Sequence, residues 1–155
     1  MKALTLRHPW PWAICCCGKN VENRSWLPSM KIGERFAIHG GRWPIPADGH
    51  PRSAYDEDYA ANIVLTVKEL ADAKLCVGPI TLSMLSRYCG VVALATFGGI
   101  TRDPADSPWH GGNLAWWLND VEVLPEPIAI HGAQGLWILP DWCAAKVLAT
   151  KKAGR

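Results

Sequence analysis

Short apolar segments run through this chain, and they do not alternate regularly with helices. The clearest is residues 90–97, where Val, Ala, Leu and Phe follow a glycine and predict a buried strand. The other predicted strands cover residues 2–6, 21–25, 35–39, 114–118 and 136–139. Because the strand–helix alternation of a doubly wound sheet is not sustained, the pattern predicts an α+β fold, a small mixed β-barrel with flanking helices.

Helices are predicted at four places between and after these strands. The first begins at Pro9, a residue that suits a first helical turn, and ends at Gly18. The longest covers residues 55–75, where apolar side chains recur every three or four residues. A shorter helix covers residues 82–88, and the last has Asp141 as its candidate N-cap.

The length of 155 residues fits one domain with a proper core. We place that domain at residues 1–150 and expect a short C-terminal tail at residues 151–155. No apolar run approaches the roughly 20 residues that a membrane-spanning helix needs. The N-terminus lacks the long apolar core of a signal peptide, so we expect a cytoplasmic protein with no membrane segment.

The six cysteines predict neither a metal site nor a disulfide framework. Residues 15–17 are three consecutive cysteines, which point in different directions on a helix and cannot form a ligand pair. Cys76, Cys89 and Cys143 stand alone, and no C-x-x-C occurs. We expect small buried thiols. Nucleotide-cofactor motifs such as Walker A and G-x-G-x-x-G are also absent, so no cofactor is predicted.

Charge is distributed unevenly along the chain. Residues 1–52 hold eight lysines and arginines against three acids, and residues 142–155 hold four against none. Residues 53–72 carry five acids and one lysine. If the two basic ends lie together, they make one basic face, which is how a protein with a net charge of only +2 binds a polyanion. The alternative is charges scattered over a solvated surface.

Polar chemistry is concentrated in one stretch, residues 18–26, with the sequence GKNVENRSW. Segments that look buried flank it on both sides. Polar groups in such a place are costly unless they are paired with each other or used by a ligand. Glu22 and Arg24 lie two residues apart on a predicted strand and therefore share a face. Together with Lys19 they form either a ligand site or a structural ion pair.

This stretch belongs to a longer pattern that resembles the ASCH domain, named for activating signal cointegrator homology. The resemblance runs from about residue 3 to residue 140, and its most specific part is the Lys-x-x-Glu-x-Arg element after Gly18, namely Lys19, Glu22 and Arg24. Membership implies a PUA-like β-barrel. It also implies that RNA, another nucleic acid or a modified nucleoside binds in a cleft lined by this element.

The chemistry of the side chains indicates a role for each residue of the candidate site. Lys19 and Arg24 would meet phosphate or a base, and Glu22 would accept from a base edge. Ser25 is the nearest hydroxyl to this element. His39, at the end of a predicted strand, acts either as a cleft residue or as a structural histidine, and Trp43 is a candidate for stacking on a base.

A second interpretation makes the same cleft a hydrolase. Small bacterial relatives release the acyl group of N4-acetylcytidine with a Lys-x-x-Thr pair and a glutamate, and another relative has been described as a ribonuclease. This chain matches the lysine with Lys19 but has Glu22 at the threonine position, so the hydroxyl nucleophile is missing there. Lys19 and Glu22 would then be the catalytic residues, with water as the nucleophile.

A third interpretation is a protein-interaction domain, in which the acidic helix at 53–75 or the aromatic loops dock a partner. The chain has nine tryptophans, several of them in or beside predicted loops. Trp109, Trp116 and Trp117 join Trp43 as candidates for stacking on a base, with burial in the core as the alternative for each.

Overall fold

A computed structural model describes residues 1–152, with side chains through residue 150. Within this range the strands are β1 (Lys2–Leu6), β2 (Val21–Asn23), β3 (Arg35–Gly40), β4 (Gly90–Thr101), β5 (Ala115–Ile128) and β6 (Leu136–Ile138). The helices are α1 (Trp10–Cys16), α2 (Ala54–Asp72), α3 (Leu82–Ser86) and α4 (Asp141–Lys152). A short 3₁₀ helix at Pro104–Asp106 lies in the connection between β4 and β5.

The strands of the described chain form one mixed sheet in the order β2-β5-β4-β3-β1-β6. β1 runs parallel to β3, and the other neighbouring pairs are antiparallel. The sheet curls into a half-barrel, and its two outer strands, β2 and β6, do not pair with each other in the described part. The predicted α+β class, with a curled mixed sheet and flanking helices, is therefore confirmed at this level.

The hairpin of β4 and β5 is longer than predicted. The sequence predicts that β4 ends at residue 97 and that a loop covers residues 98–112, but β4 continues to Thr101. Ile100 and Thr101 pair with residues at the start of β5, and the register shifts after Phe97 to absorb the two glycines. The partner strand thus extends β4 through glycines that favour a loop when they are considered alone.

Helix α1 follows the predicted pattern. Pro11 lies in its first turn, and the helix ends just before Gly18. Gly18 has a φ of +69°, the left-handed conformation that glycine adopts readily beyond a helix C-terminus. Ile14 packs in the cluster formed with the sheet, and Trp12 packs in a second cluster that includes α2 side chains. Helix α1 is therefore held on two sides immediately before the polar stretch at residues 18–26.

Helix α2 confirms the long helix predicted at 55–75, with an end three residues earlier. Its N-cap is Ser53, whose hydroxyl accepts a hydrogen bond from the Asp56 backbone N–H at 3.2 Å. Tyr59, Ile63 and Leu70 are buried and share a cluster with side chains of α1 and α3. The first turns of α2 thereby reach the end of the half-barrel where β1 finishes, because the Tyr59 hydroxyl accepts from the His8 backbone N–H.

The cysteines differ from the prediction. Cys17 and Cys76 form a disulfide with their Cα atoms 5.2 Å apart, so the prediction of six free thiols is wrong. The three consecutive cysteines do point in different directions, since Cys15 packs against the core and Cys16 Sγ lies 2.8 Å from the Tyr88 hydroxyl. After α2 the chain returns to the end of α1, which brings Cys76 next to Cys17 across a separation of 59 residues. The spacing of the cysteines in the sequence cannot predict such a contact.

The two ends of the chain lie side by side. β1 pairs with β6, and α4 packs Cys143 and Val147 against Ala3 of β1. Helix α4 runs from Asp141 into the tail predicted at 151–155, whose last three residues lie outside the described range. Among the described helices, none combines the length and the apolarity needed to cross a membrane.

Candidate functional site

An open cleft of about 930 Å³ lies where β1 and β3 end and β4 begins. The parallel strands β1 and β3 place their last residues at the same edge of the sheet, and the loop at 130–135, which contacts His39 of β3, also lines the cleft. Arginine and aromatic side chains dominate its polar lining, and none of the described residues in the lining is acidic. Apart from histidines, the charged and aromatic side chains that line the cleft are Arg7, Arg24, Arg42, Trp43, Tyr55 and Tyr59.

The polar stretch forms a row of three charged side chains. One Glu22 carboxylate oxygen lies 3.2 Å from Lys19 Nζ, and the other lies 3.3 Å from Arg24 Nη2. Lys19 also donates to the Val21 carbonyl, and its ammonium lies 5.4 Å from the centre of the Trp10 ring. A single carboxylate therefore holds two cations, so the structure contains the ion pair that the sequence offers as one alternative for this stretch, and the ligand site stays a prediction.

Burial separates the members of this row. Lys19 is 2% exposed and Glu22 is 6% exposed, whereas the Arg24 side chain is 23% exposed and lines the cleft. Burial lowers the pKa of Lys19, and the adjacent Glu22 carboxylate opposes that shift. Arg24 is the member of this row that lines the cleft, while Lys19 and Glu22 lie behind it.

The other predicted site residues divide between the cleft and the surface. His39 and Trp43 line the cleft together with Arg24. Ser25 is exposed and is outside the lining. Of the further tryptophans predicted as stacking candidates, Trp116 on β5 is completely buried, and Trp109 in the connection before β5 is 8% exposed. Each belongs to a packed apolar cluster.

His39 is held in one orientation. Its Nε2 lies 2.9 Å from the Ile130 carbonyl oxygen, which can only accept, so Nε2 carries the hydrogen. The ring also meets the Trp137 indole edge-on, with centroids 5.6 Å apart. Desolvation by burial lowers the pKa of His39, which favours the neutral ring. Nδ1 is therefore a lone-pair acceptor, and it has no hydrogen-bond partner among the described residues.

His8, two residues beyond the end of β1, has a similar arrangement. Its Nε2 lies 2.9 Å from the Gly41 carbonyl oxygen, and its ring meets the Trp43 indole edge-on at 5.0 Å. Burial lowers the pKa of this histidine as well. His8 thereby supports the segment that carries Trp43 into the cleft.

Stability is expected to fall as the pH drops from 7 to 5. His8 and His39 are neutral in the fold, and their folded pKa values lie below the ordinary value of 6.5. The unfolded chain then binds more protons than the folded chain below about pH 6.5, so unfolding is favoured as the pH falls through that window. Urea midpoints measured by tryptophan fluorescence test this. His39→Gln should show a weaker pH dependence than the exposed-site control His50→Gln, and equal dependence in the two variants would contradict it.

Sequence reasoning missed Arg7, Arg42, Tyr55 and Tyr59. The Arg7 guanidinium lies 4.3 Å from the centre of the Tyr59 ring, and Arg42 pairs with the buried carboxylate of Asp56. A signal was available for the arginines, since each follows the end of a predicted strand. Recognising β1 and β3 as parallel neighbours would have placed both residues at one edge of the sheet.

No group of three His, Cys, Asp or Glu side chains that could hold a metal ion occurs in the described range. No protein-family model matches the chain, and no curated protein matches it significantly. The resemblance to ASCH domains therefore rests on the residues quoted above and stays a prediction.

Proposed function

We propose that the cleft binds single-stranded nucleic acid, with RNA or a modified nucleoside as its ligand, and that the half-barrel is a PUA-like ASCH domain. The observation that carries this proposal is the presence of three arginines and no acidic residue among the described residues that line one open cleft. A phosphodiester backbone is the polyanion that such a lining fits best.

Each arginine is already oriented by a different partner. Arg7 lies over the Tyr59 ring, Arg24 is held by Glu22 and by a 3.4 Å hydrogen bond to the Thr5 carbonyl, and Arg42 is held by Asp56. The planar guanidinium forms paired hydrogen bonds to phosphate oxygens. Because these side chains are positioned before a ligand arrives, binding loses less conformational entropy than it would with mobile surface lysines.

Arg24 has a further feature that supports a ligand. Its Nε is buried and has no hydrogen-bond partner among the described residues. The side chain lies in the cleft lining, so an anion placed there supplies an acceptor for a donor that the fold leaves unused. This puts Arg24, rather than the buried Lys19, at the centre of the proposed contact.

The aromatic residues supply surfaces for bases. Trp43 is half-buried in the lining, and Tyr55 is 60% exposed at the rim. Stacking of a base on such a ring is worth about 1–3 kcal/mol and depends little on sequence. Arginines for the backbone and rings for the bases are the combination that single-strand binders use.

Binding of a short single-stranded RNA is expected to weaken steeply with salt. Three phosphate contacts give a slope of log K against log salt of about −2 for a single strand. Raising the salt from about 50 mM to about 200 mM should then weaken binding by roughly 20-fold. Fluorescence anisotropy of an end-labelled RNA measures both quantities, and a flat salt response would overturn the proposal.

The variant Arg24→Gln tests, in the same binding experiment, whether the RNA contacts the cleft. Loss of one phosphate contact should reduce the magnitude of the slope by about 0.7 and weaken binding several-fold at low salt. Arg102→Gln makes the same change of charge beyond the opposite end of β4 and outside the cleft lining, so it serves as the control. Equal behaviour of the two variants would show that the cleft is not where RNA binds.

The hydrolase and protein-interaction interpretations stay predictions. Lys19 and Glu22, the residues that a hydrolase would use, lie behind Arg24 and are not part of the cleft lining. No contact in the described chain favours either alternative over binding.

A further inference from the structure

A second pocket, of about 390 Å³, lies between α1, α3 and the turn that follows α2. Both cysteines of the disulfide line it, and the adjacent free cysteine, Cys16, lines it as well. Cys17 is half-buried and Cys76 is 4% exposed, so Cys17 is the more accessible half of the disulfide. The volume is within the range of about 300–1,000 Å³ that is usual for small-molecule sites. A small molecule in this pocket therefore lies beside a disulfide.

The charged side chains of this pocket are all cationic. They are Lys74 and Arg87, both of them exposed, and no aspartate or glutamate occurs among the described residues of the lining. Lys74 is the second residue beyond α2 and has a φ of +58°, a left-handed conformation that glycine usually provides after a helix. The turn that brings Cys76 towards α1 thus carries an ammonium group where a glycine would leave none. Such a lining attracts an anion.

Positive charge assists the reaction by which a disulfide opens. A thiolate, and not a neutral thiol, attacks a disulfide sulfur, so the attacking group is itself an anion. Two cations in the same pocket lower the free energy of a thiolate there, and they favour most a thiol that also carries a carboxylate. The remaining walls are mainly apolar and aromatic, with Trp12, Ile80 and Tyr88, and they fit the carbon chain of such a molecule.

We propose that this pocket binds a small anionic thiol, which opens the Cys17–Cys76 disulfide by thiol–disulfide exchange. The thiolate sulfur of the ligand forms a bond to Cys17 Sγ, the bond between the two cysteines breaks, and its electron pair leaves on Cys76 Sγ, which takes a proton from water. A second thiolate then attacks the ligand sulfur of the mixed disulfide at Cys17. The ligand leaves as its own disulfide, Cys17 takes a proton, and the protein holds two thiols. The inference concerns the C-terminal end of α2 and does not depend on what binds in the arginine-lined cleft.

The test compares two thiols of similar size, 3-mercaptopropionate and the neutral 3-mercaptopropanol, on the unreduced protein. Quenching with iodoacetamide and peptide mapping follow the opening of the disulfide with time. Each rate is divided by the rate of the same thiol with hydroxyethyl disulfide, which removes differences in intrinsic reactivity. The carboxylate should make the normalised rate roughly ten-fold higher, at the lower end of the gains that a cleft lined by one sign of charge gives. Equal normalised rates, or a disulfide that neither thiol opens in the folded protein, would overturn the inference.

Lys74→Gln and Arg87→Gln test whether the pocket supplies this preference. Each should lower the ratio of the two normalised rates by about three-fold, because one of two cations is lost, and the double variant should bring the ratio to about one. Lys68→Gln makes the same change of charge at an exposed position of α2 outside the pocket lining, so it should keep the wild-type ratio. Peptide mapping before the reaction checks that each variant retains the disulfide. A ratio that persists in the double variant would show that the thiol does not bind in this pocket and would overturn the inference.

Discussion

Replacing Glu22 with glutamine is expected to lower the free energy of unfolding by about 3–5 kcal/mol, the loss typical when one partner of a buried ion pair is removed. Glu22 is the carboxylate that faces both Lys19 and Arg24, at 3.2 and 3.3 Å. Lys19 is only 2% exposed and cannot reach water when this partner is lost. Glutamine keeps the size of the side chain, so the effect isolates the charge.

The loss of stability caused by Glu22→Gln is expected to become smaller as the pH rises. Burial lowers the pKa of Lys19, and Glu22 opposes that shift. Without the carboxylate the pKa of Lys19 falls further, so the lysine releases its proton at a lower pH than in the wild type. A neutral lysine needs no counter-charge, and the difference between the variant and the wild type narrows as the pH rises.

Urea unfolding followed by tryptophan fluorescence measures the effect. Glu34→Gln is the matched control, because Glu34 pairs with Lys2 at 2.9 Å on the surface, where removing a partner has little effect. The double variant Lys19→Met with Glu22→Gln should recover most of the loss, since neither buried charge remains. If Glu22→Gln lowers the free energy of unfolding no more than Glu34→Gln does, the ion pairs of Glu22 with Lys19 and Arg24 do not stabilise the fold.

Local sequence predicts where elements lie better than how long they are. The predicted strands all occur, and α1 ends at the predicted glycine. β4, however, passes through Gly98 and Gly99 because β5 supplies partners for Ile100 and Thr101. The length of β4 is set by its pairing with β5, a strand more than ten residues away in sequence, so a local pattern cannot predict where β4 ends.

The candidate site shows the same limit. Lys19, Glu22 and Arg24 are recognisable as one unit from their spacing, but which of them faces the cleft depends on the packing of α1 against the sheet. Ser25 carries a hydroxyl that could bind a ligand, but its side chain is exposed to solvent and lies outside the cleft lining. Arg7 and Arg42 join the site only because β1 and β3 are parallel neighbours, a fact of topology.

Removing the disulfide with the pair Cys17→Ser and Cys76→Ser is expected to lower the free energy of unfolding by about 4 kcal/mol. Loop closure over a separation of 59 residues accounts for an effect of about that size, through the entropy of the unfolded chain. Peptide mapping without reductant checks the pairing, and urea midpoints with and without a reductant measure its effect. Cys16→Ser changes the adjacent exposed cysteine and serves as the control.

The same variant tests how the disulfide and the cleft are connected. The closed loop contains all of α2, whose first turns hold Tyr59 against Arg7 and Asp56 against Arg42. Opening the loop frees the far end of this helix, so two of the three cleft arginines lose part of their support. RNA affinity should then fall in the double variant under conditions where it is still folded, and remain unchanged in Cys16→Ser. A midpoint that reductant does not move would contradict the pairing, whereas a shifted midpoint with unchanged RNA affinity would confine the role of the disulfide to stability.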